Sequence, residues 1–259
     1  MGDEHKTVGG RFRGALNVVY DASLALMYPQ ACASCGASAE DRRCAPVCRD
    51  CFRRAELFSI HDKLCWKCGA IGAGKVGGAR SHRLMCRRCD GEPWTAARGA
   101  GVYAGALRAC VLELKRRPHV GVGFVELMRE WQSSTPLDAS TLVIPVPLHP
   151  KRERERGFNQ ARVLAEASAK SARLPIDDVS LVRTNYTEAH RAGMDAEARR
   201  ASVSGAFEVV RPRMVAGESV LLIDDVWTTG ATAGACARPL LEAGARDVFV
   251  LTLARAVLG

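Results

Sequence analysis

Four Cys-x-x-Cys pairs crowd the N-terminal third of this 259-residue chain and restrict its folding more than any other feature. Nine of the 11 cysteines lie between Cys32 and Cys89, arranged as Cys32-x-x-Cys35, Cys48-x-x-Cys51, Cys65-x-x-Cys68 and Cys86-x-x-Cys89. Twelve residues separate the first two pairs and seventeen the last two, the spacing of four-thiolate zinc knuckles. Sequential pairing gives one site of Cys32, Cys35, Cys48 and Cys51 and a second of Cys65, Cys68, Cys86 and Cys89; an interleaved pairing satisfies the same spacing. Four cysteines close a tetrahedron, so two structural zinc ions are expected, with no coordination position left for water. Disulfide-stapled modules are the alternative. They need an oxidising compartment, and the N-terminus lacks the basic head, apolar stretch and small-residue cleavage site of a secretory signal. The expected address is therefore the cytoplasm. Cys44 has no partner pair and is either a free surface thiol or an alternative ligand of the first site. His61 and His82 are further alternatives, although loop histidines are usually just solvated.

Between residues 31 and 90 only eleven aliphatic or aromatic side chains exceed alanine in size, among them Val47, Phe52, Leu57, Phe58, Leu64 and Trp66. Such a segment cannot fold by apolar burial alone. Structural zinc contributes about 10–16 kcal/mol to a small module, more than the net stability of most whole domains, so the metal decides whether this region is ordered. Ahead of it, Leu16, Val19, Tyr20, Leu24 and Met27 recur at helical spacing. The periodicity predicts a helix within residues 1–30 whose apolar face packs on the rest of the chain, or else on a membrane surface or partner. No run of 18 apolar residues exists, so no transmembrane segment is predicted.

From about residue 95 the pattern changes to short apolar runs alternating with helical stretches, which predicts an α/β domain over 95–259 after a double zinc ribbon at 31–94. Strands are expected at 142–146, 179–183, 206–210, 220–224 and 248–254. Helices are expected at 158–171 and 233–243, the latter closed by Gly244 and kinked by Pro239. The most informative stretch is Val220-Leu-Leu-Ile-Asp-Asp-Val-Trp-Thr-Thr-Gly-Ala-Thr232. It reads as an apolar strand ending in Asp224 and Asp225, then a loop of hydroxyls and glycine that opens a helix. Ligands of an open parallel sheet bind beyond the C-terminal strand ends. There Thr228, Thr229, Gly230, Ala231 and Thr232 offer backbone N–H groups and hydroxyls to an anion. Carboxylates beside an anion site make sense when the ligand also carries sugar hydroxyls or a bridging magnesium ion. A ribose 5-phosphate group meets both demands.

This stretch resembles the thirteen-residue signature of type I phosphoribosyltransferases. Together with Leu114-Lys-Arg-Arg117, Ile144-Pro-Val-Pro-Leu-His149, Arg156-Gly-Phe-Asn-Gln160 and Gly205-Ala-Phe207, the chain resembles the ComF family of competence-protein-F-like phosphoribosyltransferases. That family commonly carries an N-terminal double zinc ribbon, so the resemblance spans nearly the whole chain. It implies a type I phosphoribosyltransferase-like parallel sheet flanked by helices and preceded by a small zinc-ribbon module. It also implies binding of 5-phosphoribosyl diphosphate, or a related sugar phosphate, with magnesium. The matching residues assign Asp224 and Asp225 to the ribose during catalysis and residues 228–232 to the 5-phosphate. Arg156, Gly157 and Asn159 fall at the pyrophosphate, which Lys115 could also reach. Arginine suits phosphate because its guanidinium pairs two oxygens at once, and glycine lets backbone approach. Lys151-Arg-Glu-Arg-Glu-Arg156 is read as a loop between a strand and a helix, and a mixed-charge run of this kind is often only a solvated surface. The segment 183–202 resembles a mobile hood. Where relatives often have Gln and Asn, Arg191 and Ser202 stand here, with Gly193 and Arg199 or Arg200 in step, and Trp227 is bulkier than the usual occupant.

The chemistry implied is displacement of pyrophosphate from the anomeric carbon by a nitrogen nucleophile of an unidentified acceptor. Purine-salvage chemistry is disfavoured because Thr228 stands where those enzymes have a loop aspartate. Glutamine amidotransfer is disfavoured because the chain begins Met1-Gly2-Asp3 without an N-terminal cysteine nucleophile. The family's association with DNA uptake supplies an alternative: a non-catalytic accessory binding single-stranded DNA or a nucleotide, in company with competence DNA-uptake proteins. A third is a retained fold that binds ligand as a sensor or scaffold.

Overall fold

Apolar residues fill consecutive positions in the two longest strands because both of their faces are covered. The computed structural model describes residues 30–39, 41, 43–71, 86–89, 91–186 and 201–257. The predicted N-terminal helix, His82, Arg191, Gly193, Arg199 and Arg200 lie outside these. After residue 95, the order is β1 (Ala96–Gly99), α2 (Gly105–Leu114), α3 (Val122–Gln132), β2 (Leu142–Pro145), α4 (Pro150–Arg156), α5 (Gln160–Ala172), β3 (Leu181–Arg183), β4 (Phe207–Val209), β5 (Ser219–Trp227), α6 (Ala231–Glu242) and β6 (Asp247–Arg255); a single-turn helix, α1 (Arg49–Arg53), precedes them. Four strands form a parallel sheet in the order β1-β6-β5-β2, and β3 and β4 pair antiparallel as a separate ribbon.

Period-two alternation sorts the sheet residues onto two faces. Leu221, Ile223, Phe249, Leu251 and Leu253 pack with Leu107 and Leu114 of α2, Phe124 and Met128 of α3, and Leu164 of α5. Val220, Leu222, Val248 and Val250 pack with Cys236 and Leu240 of α6 and Phe207 of β4. The sheet is therefore sandwiched between α2, α3 and α5 on one side and α6 with the β3–β4 ribbon on the other.

Sequence expectation and structure differ in instructive places. β5 does not end at the acid pair but runs through it to Trp227, in register with β6 from Ser219↔Asp247 to Trp227↔Arg255. The charged run after His149 is helical, because His149 caps it by accepting from Lys151 N at 3.2 Å and Pro150 sits in its first turn. The expectation of a loop there is corrected. α6 continues through Pro239 to Glu242. β1, α2 and α3 were not foreseen, because Ala96–Gly99 is short and poor in large apolar side chains and gives no strand periodicity.

The cysteine segment covers the edge strand β1 and straddles both faces of the sheet. Cys32, Val47 and Phe58 join the first core, and Cys65, Cys68, Cys89 and Trp94 join the second. Phe58 N donates to Ala100 O at 3.0 Å and Ala97 N to Lys67 O at 2.7 Å, so backbone bonds saturate an edge that would otherwise be open. Phe52 meets Phe124 edge-on at 4.9 Å. No helix among the described residues is long and apolar enough to cross a membrane.

Candidate sugar-phosphate cleft and zinc centres

The cysteines converge as two groups with sequential pairing: Cys32, Cys35, Cys48 and Cys51, and Cys65, Cys68, Cys86 and Cys89, the ligand atoms of each lying within 4.8 Å of one another. A tetrahedral site with Zn–S near 2.3 Å places sulfurs about 3.8 Å apart. The Sγ separations are 3.8 Å for Cys35–Cys48, 3.6 Å for Cys65–Cys89 and 3.5 Å for both Cys68–Cys86 and Cys86–Cys89, so the donor set fits zinc. Backbone amides favour the thiolate form: Cys48 N donates to Cys32 Sγ at 3.2 Å and Cys86 N to Cys65 Sγ at 3.3 Å. Burial pushes the Cys32 thiol up, but the amides of Cys48, Cys35 and Ser34 outweigh it and bring it down to about 6. Cys44 is neither ligand nor surface thiol. It is buried outside the first group, its Sγ donating to Asp41 at 3.8 Å. His61 is likewise outside both groups.

The acid pair sits at the C-terminal end of β5, with its two side chains on opposite faces. Asp225 is buried, and its Oδ2 lies 3.1 Å from Lys115 Nζ. Lys115 is the C-cap of α2, so the first-face helices deliver a cation to the acid. Asp225 also helps keep Arg156 protonated, offsetting the burial that lowers that guanidinium. Asp224 lies within electrostatic reach of Arg183 of β3 and Cys236 of α6. Its Oδ1 accepts from Asp225 N at 2.8 Å. Burial and the neighbouring charge of Asp225 push its carboxyl well above the usual range. Sequence reasoning missed Arg183 and Cys236 because nothing in their local pattern announces which strand end they will face.

The loop after β5 turns sharply at Gly230, whose φ of +84° only glycine adopts without strain. α6 begins at once, and no side chain caps it at Gly230. Thr229 Oγ1 accepts from Ala231 N at 3.3 Å. Asp224, Thr228, Gly230 and Thr232 share the lining of one cleft with Val146 of the β2 end. Residues at the start of α6 and a carboxylate thus line the same space, the combination that suits an anionic sugar.

At the α4–α5 corner Arg156 donates to Gln160 Oε1. Gly157 has φ +86° and closes α4, so the turn itself requires its glycine, and nothing lies close to where a Cβ would be. Asn159 is buried. Its Oδ1 accepts from Ala161 N at 3.0 Å and its Nδ2 donates to Val146 O at 3.0 Å, which locks the start of α5 to the end of β2. The structure therefore brings Asp225, Lys115 and Arg156 together and engages the amide of Asn159 in positioning the corner.

No protein-family model matches the chain. It is 31% identical over 217 residues to DNA utilization protein YhgH of Escherichia coli O157:H7, covering 81% of this chain and 90% of that one. It is 29% identical to competence protein ComFC of Bacillus subtilis over 81% of this chain and 84% of that protein. The chain belongs to the ComF family. Competence protein F of Haemophilus influenzae, 32% identical over 130 residues, is similar to half of this chain and 56% of its own length is covered. Solved structures that align with this ComF-family chain include glutamine phosphoribosylpyrophosphate amidotransferase from Bacillus subtilis, at 19% identity and TM-score 0.36 over 55% of this chain and 30% of that one. Phosphoribosylpyrophosphate synthetase from Mycobacterium smegmatis aligns at 18% identity and TM-score 0.34, over 52% of this chain and 34% of that one. The chain spans about a third of the length of each. The ComF fold here is a parallel sheet flanked by helices, with two four-cysteine groups on its edge strand.

Proposed function

We propose that the cleft binds 5-phosphoribosyl diphosphate with its magnesium and transfers the phosphoribosyl group to an unidentified nitrogen acceptor. The observation that carries this reading is the juxtaposition of the Asp224–Asp225 pair with the start of α6 on one side and Lys115 and Arg156 on the other. Residues 228–232 hold the 5-phosphate through N–H groups and threonine hydroxyls, while Asp224 and Asp225 accept from the ribose hydroxyls. Arg156 and Lys115 stabilise the pyrophosphate as it leaves. Magnesium, when bound with the substrate, neutralises charge on the leaving group. The zinc ribbon at 31–94 and the catalytic domain at 95–259 act as one cytoplasmic protein in this reading. Calorimetric titration with magnesium and 5-phosphoribosyl diphosphate tests it. Asp225→Asn should weaken binding at least about tenfold, the loss expected when one charge-assisted hydrogen bond goes. Equal affinities for the two proteins would overturn the assignment.

A second reading is favoured by the names of the relatives, DNA utilization and competence proteins. In it the same site recognises a nucleotide or sugar phosphate without turnover, and the protein serves DNA uptake as an accessory that binds single strands. Release of pyrophosphate with any nitrogen acceptor separates the two.

A further inference from the structure

The glycine of the anion loop rests on two tryptophans. Trp227 ends β5, directly before Thr228, and is only 5% exposed. Its ring meets Trp94 edge-on, with centroids 5.1 Å apart and planes at 89°. A Cβ on Gly230 would lie 2.8 Å from each indole, so the height of the loop backbone is set by this pair.

Trp227 is held from another side by Arg255, whose guanidinium carbon lies 5.3 Å from the ring centroid. The parallel register Trp227↔Arg255 places the two residues side by side at the ends of β5 and β6. Arg255 in turn donates to the carbonyl of Cys68 and lies 4.0 Å from its Sγ. Cys68 belongs to the second four-cysteine group. A zinc ion with four thiolates keeps a net charge of about −2, which suits the half-buried guanidinium of Arg255.

We propose that the second zinc centre positions the anion-binding loop, through Cys68, Arg255, Trp227 and Gly230 in turn. Arg255 and Trp227 are positioning residues that touch neither phosphate nor ribose. The ring–cation contact makes Arg255 hard to replace, since its planar guanidinium serves the ring and the carbonyl together. Trp227 is the part of the chain that ties this loop to the metal module. The first zinc group packs on the opposite face of the sheet and has no such path.

Amide hydrogen exchange on the full chain tests the proposal, with metal content measured for every sample. Arg255→Met should retain two zinc ions and slow exchange in residues 219–223, while amides of residues 228–233 exchange about tenfold faster. Cys86→Ser, which opens the second group, should give the same loop signature, and Cys51→Ser, which opens only the first, should not. Affinity for magnesium and 5-phosphoribosyl diphosphate should fall about tenfold in Arg255→Met; only this affinity readout rests on the sugar-phosphate reading. If the unaltered protein binds no such ligand but the loop exchange responds as stated, that reading falls and the positioning stands. Loop exchange that is unchanged in Arg255→Met overturns the proposal. Should that variant fail to fold, unchanged loop exchange after chelation of zinc from the unaltered chain overturns it equally.

Discussion

Asp224 concentrates a cost to folding stability in a single side chain. Burial first, and the charge of Asp225 second, raise its carboxyl well above the value it has in an unfolded chain. Between those two values the folded state holds a proton that the unfolded state has released, so stability falls as pH rises through that window. Above the folded value the whole penalty is present. Asp224→Asn removes the ionisable group and should stabilise the ligand-free protein by about 1–2 kcal/mol at pH 8. The gain should shrink as pH is lowered through the window, because the unfolded chain then takes up the same proton. Denaturant unfolding in zinc-saturated buffer at several pH values measures this, and a variant less stable at pH 8 would contradict it. At this scale the sequence identified both aspartates, since adjacent acids after four apolar residues are visible in one dimension. Their unequal roles were not visible. Only packing decides that one meets Lys115 and the other lies within electrostatic reach of Arg183 and Cys236.

The seam between ribbon and sheet belongs to the scale of elements. The N-cap of α3 is Gly121, whose amide donates to Ala45 O at 3.1 Å, and Gly123 N donates to Arg43 O at 2.9 Å. Backbone conformation does not demand glycine at 121, where φ is −65°. Space does: a Cβ there would come within 2.4 Å of Ala45 O and 2.7 Å of Arg43 O, both on the cysteine segment. Gly121→Ala should therefore destabilise the protein by about 1–3 kcal/mol through overpacking, and alanine is also the poorer N-cap. It should also loosen zinc held by the first group, which competition with a chromogenic chelator would detect. Unchanged stability and zinc retention would show that the ribbon does not bear on α3. The long strands and α5 were legible from periodicity, and so were the metal groups from spacing. β1, α2 and α3 were not, since their stability comes from the neighbours they cover. The charged α4 was mistaken for a loop because its helix depends on the His149 cap, a local bond that composition hides.

For the whole molecule, charge sets the terms of any nucleic-acid role. The formal +9 divides into 15 basic and 10 acidic residues in 1–94 and 22 and 18 in 95–259, that is +5 and +4. Two zinc ions with eight thiolates change the first figure by 2 × (2 − 4) = −4, to about +1. A module so nearly neutral neutralises few phosphates. Single-strand binding by the zinc-loaded protein should therefore show a shallow salt dependence, with a log–log slope no steeper than about −2, the value for roughly three phosphates. Anisotropy across a salt series measures it; a steeper slope that disappears on chelation would make the DNA reading the primary one.

Sequence alone determined the chemistry that is local in the chain: thiol pairs spaced for zinc, an acid pair, and a hydroxyl-rich loop opening a helix. Each of these is written in neighbouring residues, where spacing and side-chain type suffice. Tertiary structure alone decided which cation meets which acid, that the ribbon seals the β1 edge, and that Arg255 and Trp94 converge on Trp227. Those contacts join residues far apart in the chain, and only burial of the two faces of the sheet brings them together.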